Sequence, residues 1–90
     1  MRLVPGFQLR QFGPDYVAVP SGVAAQRFNG LISLNETGSF LFEALQQPTD
    51  RAALLAALEA EYDAPREQLK QDLEEFLARM EELGLLEETT

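Results

Sequence analysis

The first part of the chain carries the alternation of apolar and polar side chains that is typical of half-buried β-strands. The segment FQLR at residues 7–10 alternates, and the segment YVAV at residues 16–19 is aromatic and β-branched, as in many strands. Between them, GPD at residues 13–15 has the composition of a turn. The pattern therefore predicts a hairpin with strands over about residues 7–12 and 15–19.

A third apolar segment, LISL at residues 31–34, follows Gly30 and leads directly into Asn35. We predict a short third strand over residues 30–34, and an extended loop that leads into a helix is the alternative. The connection before it, residues 21–27, has no clear period. The three short strands together predict a small antiparallel sheet.

The rest of the chain has apolar residues at the three- and four-residue intervals of amphipathic helices. Asn35 is a good N-cap, because its side-chain oxygen can accept a backbone N–H of the first turn. Thr49 or Asp50 is suited to the same role in a second helix, and Pro65 to the start of a third. Gly84 is placed to end that third helix in a left-handed conformation. The predicted helices cover residues 36–47, 50–62 and 65–83.

The order of these elements, β-β-β-α-α-α, predicts the α+β class. A chain of 90 residues has room for one core and one binding surface, so we expect a single domain over residues 1–90. A small three-stranded antiparallel sheet packed on three helices is what a winged helix-turn-helix domain contains. Here the hairpin would lie at the N-terminal end of such a domain.

The composition excludes most classes of catalytic mechanism. The chain has no Cys and no His, which excludes disulfides, thiolate metal sites, Fe–S clusters and imidazole catalysis. The glycine-rich phosphate-binding motifs and the spacing of a calcium loop are also absent. We therefore expect a protein that is not an enzyme and that binds no cofactor and no metal. No secretory or membrane-spanning segment is visible, so we expect a cytoplasmic protein without membrane contact.

The charge is concentrated in the second half of the chain. Residues 1–45 have three basic and three acidic side chains, whereas residues 46–90 have four basic and twelve acidic ones, which gives the net charge of −8. This acidity argues against a nucleic-acid partner, because phosphate binding requires clustered Lys and Arg. A winged-helix DNA-binding protein is therefore a weak alternative, since the third predicted helix carries six acids against three bases.

Several segments resemble the PqqD-like family, which is named after coenzyme pyrroloquinoline quinone synthesis protein D. The segment LNETG at residues 34–38 resembles the family's LNxTG motif. DLEEFL at residues 72–77 and GLL at residues 84–86 resemble its DVxxFLxxLxxxGLL ending. The resemblance covers roughly residues 3–86, and it departs at Phe42, where many members have Trp.

The resemblance implies a winged-helix-like RiPP recognition element, a domain that does no chemistry of its own. Such a domain holds the leader of a ribosomally made precursor peptide and presents it to a modifying enzyme, commonly a radical SAM/SPASM-type enzyme with extra Fe–S clusters. A protein–protein adaptor of the same fold without a peptide substrate is the alternative. We expect a monomer in solution, with a free strand edge that can pair or swap with another copy in a crystal.

The resemblance also implies where the leader is bound, namely as an added strand on the third strand, in the groove beside the third helix. A sheet of three short strands has a free edge whose N–H and C=O groups can pair with an extended peptide, here antiparallel. The candidates on this edge are Leu31, Ile32, Ser33 and Leu34. Core side chains are the alternative for Ile32 and Leu34, whose backbone still serves the peptide.

The third predicted helix supplies the other candidates. Its apolar stripe has Leu77 on one shoulder, beside Arg66 and Lys70. This shoulder is apolar and basic on an otherwise acidic helix, so we place an acidic peptide there, with Arg79 on the opposite shoulder as the second choice. A peripheral core position for Leu77, and pairing of the two bases with neighbouring glutamates, are alternatives. The helix candidates are Arg66, Lys70, Leu73 and Leu77.

Overall fold

The computed structural model describes residues 1–88 and has the α+β architecture that the sequence pattern predicts. Its strands are β1 (Arg2–Leu3), β2 (Phe7–Phe12), β3 (Asp15–Pro20), β4 (Ile32–Leu34) and β5 (Leu86–Glu87). Its helices are α1 (Val23–Arg27), α2 (Glu36–Ala44), α3 (Arg51–Glu61) and α4 (Arg66–Glu82). The three predicted strands correspond to β2, β3 and β4, and the three predicted helices to α2, α3 and α4.

The strands β2, β3 and β4 form an antiparallel sheet in which β3 is central. The hairpin register pairs Arg10 with Val17, and β4 joins the other side of β3 with Ser33 opposite Val17. Because side chains alternate along a strand, Ala18 and Ile32 are buried on the face that meets the helices. The strands β2 and β4 are therefore the two edges of this sheet.

The third strand begins at Ile32, two residues later than the sequence pattern predicts. Continuing the register of β3 and β4 would place Gly30 opposite Pro20, whose nitrogen has no hydrogen to extend the ladder. Gly30 also has a φ of 145°, which is outside the strand region and favours glycine. Leu31 consequently lies outside the sheet and is exposed.

The strands β1 and β5 form a second, two-stranded antiparallel sheet that the sequence pattern does not predict. This sheet pairs Leu3 with Leu86, and the Val4 N–H donates to the Leu85 carbonyl at 2.8 Å. Leu3, Val4 and Leu85 are buried. Strands of two residues are too short to show a period, so tertiary packing rather than local sequence determines them.

The caps of α2 and α3 fix where these helices begin. Asn35 Oδ1 accepts the Gly38 N–H at 2.6 Å, as expected for the N-cap of α2. Asp50 Oδ1 accepts the Ala53 N–H at 2.8 Å, so Asp50 rather than Thr49 caps α3. The helices α3 and α4 are each two residues shorter than predicted, because their capping residues lie outside the helical hydrogen-bond pattern. The helix α2 ends three residues earlier than predicted, because Leu45 caps it and residues 46–47 form the turn before Pro48.

The helix α1 is missing from the sequence prediction. It has five residues, and its N-cap, Gly22, provides no side-chain hydrogen bond. Its buried Ala24 packs against Gly6, where an added Cβ would lie 3.1 Å from the Ala24 Cβ and 2.7 Å from the Ser21 carbonyl oxygen. A helix this short has too few turns to show a period, and close packing on Gly6 determines its position.

One hydrophobic core joins the three-stranded sheet to α2, α3 and α4. Phe42 is fully buried and meets Phe7 edge-to-face with ring centroids 5.4 Å apart. The helices contribute the buried side chains of Leu41, Leu54, Leu58, Leu69, Leu73, Phe76, Leu77 and Met80. A phenylalanine therefore fills the centre of the core at position 42.

Candidate functional site

One edge of the three-stranded sheet is open at β4. Within residues 1–88, β4 pairs with β3 and no strand pairs on its other side. The Ser33 carbonyl accepts a hydrogen bond from Nη1 of Arg79 in α4 at 2.9 Å, so it points away from β3. Backbone groups of successive residues in an antiparallel strand point to alternate sides, so those of Ile32 and Leu34 face β3. The outward groups of β4 are the N–H and C=O of Ser33.

A groove of about 250 Å³, here termed the α4 groove, adjoins this edge. One wall is formed by α4, and the other by the turn from β4 into α2. Arg79 lies in the first wall and also contacts Ser33, so the groove and the strand edge are continuous. The lining residues are Leu34, Asn35, Thr37, Gly38, Leu41, Asp72, Glu75, Phe76 and Arg79.

The LNETG segment shapes the wall opposite α4. Leu34 is buried in the core at the end of β4, and Asn35 caps α2 through the Gly38 N–H. A Cβ added to Gly38 would lie 3.0 Å from Asn35 Oδ1 and 3.5 Å from Leu34 Cδ2, so glycine permits this close approach. Thr37 follows the cap and lines the groove. The motif is therefore a strand-to-helix turn that sets the position of the groove.

The α4 wall carries charged side chains above a buried apolar floor. Phe76 and Leu41 are 7% and 0% exposed, so the accessible surface of the groove comes mainly from polar groups. Asp72, Glu75 and Arg79 recur at intervals of three and four residues, which places them on one face of α4. This surface is better suited to charged side chains of a ligand than to large apolar ones.

The four predicted strand-edge residues lie in three environments. Ser33 is exposed, and its backbone faces the open edge. The side chains of Ile32 and Leu34 are buried in the core. Leu31 is 65% exposed and precedes the strand. The structure thus offers the backbone of Ser33 at the edge, while the binding role of all four residues stays a prediction.

The four predicted helix residues do not line the α4 groove. Arg66 forms an ion pair with Glu59 of α3, with an Nε–Oε1 distance of 3.7 Å, and Lys70 lines a separate depression. Leu73 and Leu77 are each 1% exposed and belong to the core. Contact between these leucines and a peptide would require α4 to move. The binding role of the four residues remains an untested prediction.

Arg79, the second choice from the sequence, is the basic residue that contacts the strand edge. Thr37, Asp72 and Glu75 line the groove with it and are not among the site residues predicted from the sequence. The spacing of residues 72, 75, 76 and 79 is a signal that they share one helix face. Helical periodicity does not tell which shoulder meets the sheet, because the packing of α4 against α2 decides that.

The site therefore offers a backbone donor and acceptor on a strand edge, together with charged side chains in a groove. Within residues 1–88, no group of three or more acidic side chains is arranged to hold a metal ion. In the same residues, no helix has both the length and the apolar character needed to cross a lipid bilayer.

Comparisons with known proteins provide independent findings. The sequence profile of the family described as coenzyme PQQ synthesis protein D (PqqD) matches residues 17–86. Among curated proteins, no sequence matches significantly. Among solved structures, the chain is similar to TbiB1, solved in complex with the TbiA(beta) leader peptide, with a TM-score of 0.71 at 20% identity. This match covers 100% of the present chain and 99% of the other, and it shows a shared fold.

Proposed function

This chain belongs to the family of coenzyme PQQ synthesis protein D, and we propose that it is a single-domain, non-catalytic module that binds the leader of a precursor peptide. The family match includes β4, α2 and α4, which form the open edge and both walls of the α4 groove. In this proposal the module holds the leader while a modifying enzyme acts on the rest of the peptide.

The open edge of β4 beside the α4 groove is the observation that carries the proposal. An extended peptide that adds to a sheet edge gains main-chain hydrogen bonds whatever its sequence, and neighbouring pockets read its side chains. Here the N–H and C=O of Ser33 would bond to the peptide, which we place antiparallel to β4. Side chains of the peptide would then lie along Asp72, Glu75 and Arg79.

The shared fold supports the same function. TbiB1 was solved in complex with a leader peptide, and its structural similarity extends over the whole of this chain. The sequence profile and the fold comparison therefore support a peptide ligand separately.

For the modifying enzyme we propose a radical SAM/SPASM-type protein, and for the compartment the cytoplasm, as the family resemblance implies. We further propose that the chain acts as a monomer without a cofactor of its own. A second copy paired along β4 would occupy the edge that the peptide requires. Co-purification of this chain with the radical SAM enzyme encoded nearest to its gene tests the partner.

Calorimetric titration with the leader peptide encoded nearest to the gene tests the peptide ligand, and two proline variants make the test specific to the edge. S33P removes the outward N–H of β4 and leaves the pairing with β3 in place, because proline is tolerated where the N–H faces away from the sheet. Q11P is the matched control. Gln11 is exposed on β2, the opposite edge, and by the same alternation its N–H points outward.

We expect Q11P to bind like the wild type and S33P to bind about ten-fold more weakly or worse, since it loses a main-chain hydrogen bond at the centre of the edge. Thermal unfolding confirms that both variants are folded. Equal binding by S33P would place the peptide elsewhere on the molecule. No heat of binding to any short peptide encoded nearby would contradict the proposal and favour an adaptor of the same fold.

A further inference from the structure

Arg79 directs its charge to an uncharged acceptor, although acidic side chains are abundant in this chain. Its Nη1 donates to the carbonyl of Ser33, which lies 46 positions earlier in the sequence. Within residues 1–88, no carboxylate oxygen lies within 4.0 Å of the Arg79 guanidinium. Arg51 and Arg66, by contrast, each have a carboxylate partner within that distance. The positive charge of Arg79 is therefore available to a ligand.

The carbonyl that accepts this hydrogen bond is also the carbonyl to which an added strand would donate. The Ser33 carbonyl is the outward carbonyl of β4, and a peptide N–H would approach it in the plane of the sheet. The guanidinium of Arg79 lies on that approach. The outward carbonyl of β4 thus accepts a hydrogen bond from a side chain rather than from a neighbouring strand.

The neighbours of Arg79 in the α4 groove are acidic. Glu75 and Asp72 lie one and two turns before it on the same face of α4. A carboxylate of a bound peptide would be repelled along most of this wall and attracted at Arg79. The wall thus gives an acidic side chain one favourable position, beside Ser33.

We propose that Arg79 is a specificity-determining residue that selects a leader with an Asp or Glu side chain at the position beside Ser33. This inference rests on the proposed function and names the chemistry of its ligand. On binding, the guanidinium turns from the Ser33 carbonyl to the carboxylate of the leader, and the peptide backbone takes the carbonyl. An arginine–carboxylate pair adds Coulomb attraction between opposite charges and a two-pronged geometry to the hydrogen bond, and a neutral side chain supplies neither, so the exchange favours an acidic peptide over a neutral one.

The contact in the free protein is tested without any peptide. Carbon-13 NMR of the Ser33 carbonyl is compared between wild type, R79M and R10M. Arg10 is the matched control, because it also donates to an uncharged oxygen, Oε1 of Gln8 at 2.9 Å, but on β2. We expect the Ser33 carbonyl signal to move upfield in R79M, as it loses its donor, and to stay in place in R10M. An unchanged signal in R79M would overturn the contact.

The selection of an acidic side chain is tested with synthetic peptides that tile the short open reading frames beside the gene. In the tightest binder, each Asp or Glu is replaced by Asn or Gln, and affinities for wild type, R79M and R10M are measured. We expect one replacement to weaken binding to wild type and R10M about ten-fold or more, and to leave binding to R79M unchanged. Equal sensitivity of R79M and wild type to every replacement would overturn the selection.

The two tests separate this inference from the proposed function. If no peptide binds wild type or R79M, the proposed function fails and the selection of an acidic leader fails with it, while the carbonyl signal still decides the Arg79–Ser33 contact. If peptides bind, and wild type prefers the acidic peptide whereas R79M binds the neutral one as tightly as the acidic one, both the function and the selection are supported.

Discussion

Asn35 holds the turn between the open strand and α2 through a hydrogen bond from the Gly38 N–H. We expect N35A to lower the free energy of unfolding by about 1 kcal/mol, the usual contribution of an N-cap side chain. Urea denaturation measures this loss. D50A removes the equivalent cap from α3 and is the matched control. Both variants should lose stability, but only N35A should also weaken peptide binding, because Asn35 lines the groove and Asp50 does not.

Because of Tyr62, the free energy of unfolding depends on pH in the alkaline range. Burial raises the pKa of the Tyr62 phenol above its ordinary value of 10.0, and the nearby Glu36 and Glu61 add to the effect. The folded state therefore holds this proton more tightly than the unfolded state does. The resulting stabilisation is fully present below the unfolded pKa and is lost as pH rises through the folded pKa.

We expect the free energy of unfolding to fall as pH rises above about 10, and the fall to be smaller in Y62F, which has no phenol to titrate. Urea denaturation at several alkaline pH values checks this. An identical fall in wild type and Y62F would assign the effect to another group.

At the scale of elements, the small β1–β5 sheet depends on Leu85. This side chain is 1% exposed, and its carbonyl accepts the Val4 N–H. We expect L85A to lower the free energy of unfolding by about 2–4 kcal/mol, as other buried leucine truncations do. L86A is the matched control, because Leu86 is half-buried in the same segment and should lose less than about 1 kcal/mol. Similar losses in both would show that the packing of Leu85 contributes no more to stability than that of Leu86.

Periodicity predicts elements that are long enough to display it. The hairpin and α2, α3 and α4 have several repeats of their pattern, so the sequence predicts their existence and order correctly. The helix α1 and the strands β1 and β5 are too short for that, and contacts between distant segments form them. The start of β4 depends on Pro20, which faces it only in the folded register.

The candidate site also has one part that the sequence predicts and another that only the packing of the folded chain determines. The open edge at β4 is predictable, because a sheet of three strands must have two edges. The α4 wall is less predictable, because Arg66 and Arg79 lie on opposite shoulders of the apolar stripe of α4. The sequence gives no reason to prefer either of them as the one that meets the sheet. The orientation of α4 in the folded core brings Arg79 to Ser33 and leaves Arg66 beside Glu59.

At the scale of the whole molecule, the excess of negative charge lowers the stability of the folded chain, because the acidic side chains repel one another. The net charge of −8 comes from residues 46–90, and the ion pairs Arg51–Glu74 and Arg66–Glu59 are exposed and contribute little. We expect the melting temperature to rise with added NaCl, because salt screens the repulsion. Thermal unfolding across a series of salt concentrations measures this. A melting temperature that falls with salt would mean that the attractive pairs outweigh the repulsion.

The shortness of β4 affects how long a bound peptide would stay. The strand has three residues, and one of them presents its N–H and C=O outward. A peptide held by so few main-chain hydrogen bonds would dissociate quickly unless its side chains fit the groove. Residence time, more than encounter rate, would then distinguish one leader from another. A module of this kind would release each modified product readily and serve many precursor molecules in succession, as a reusable carrier.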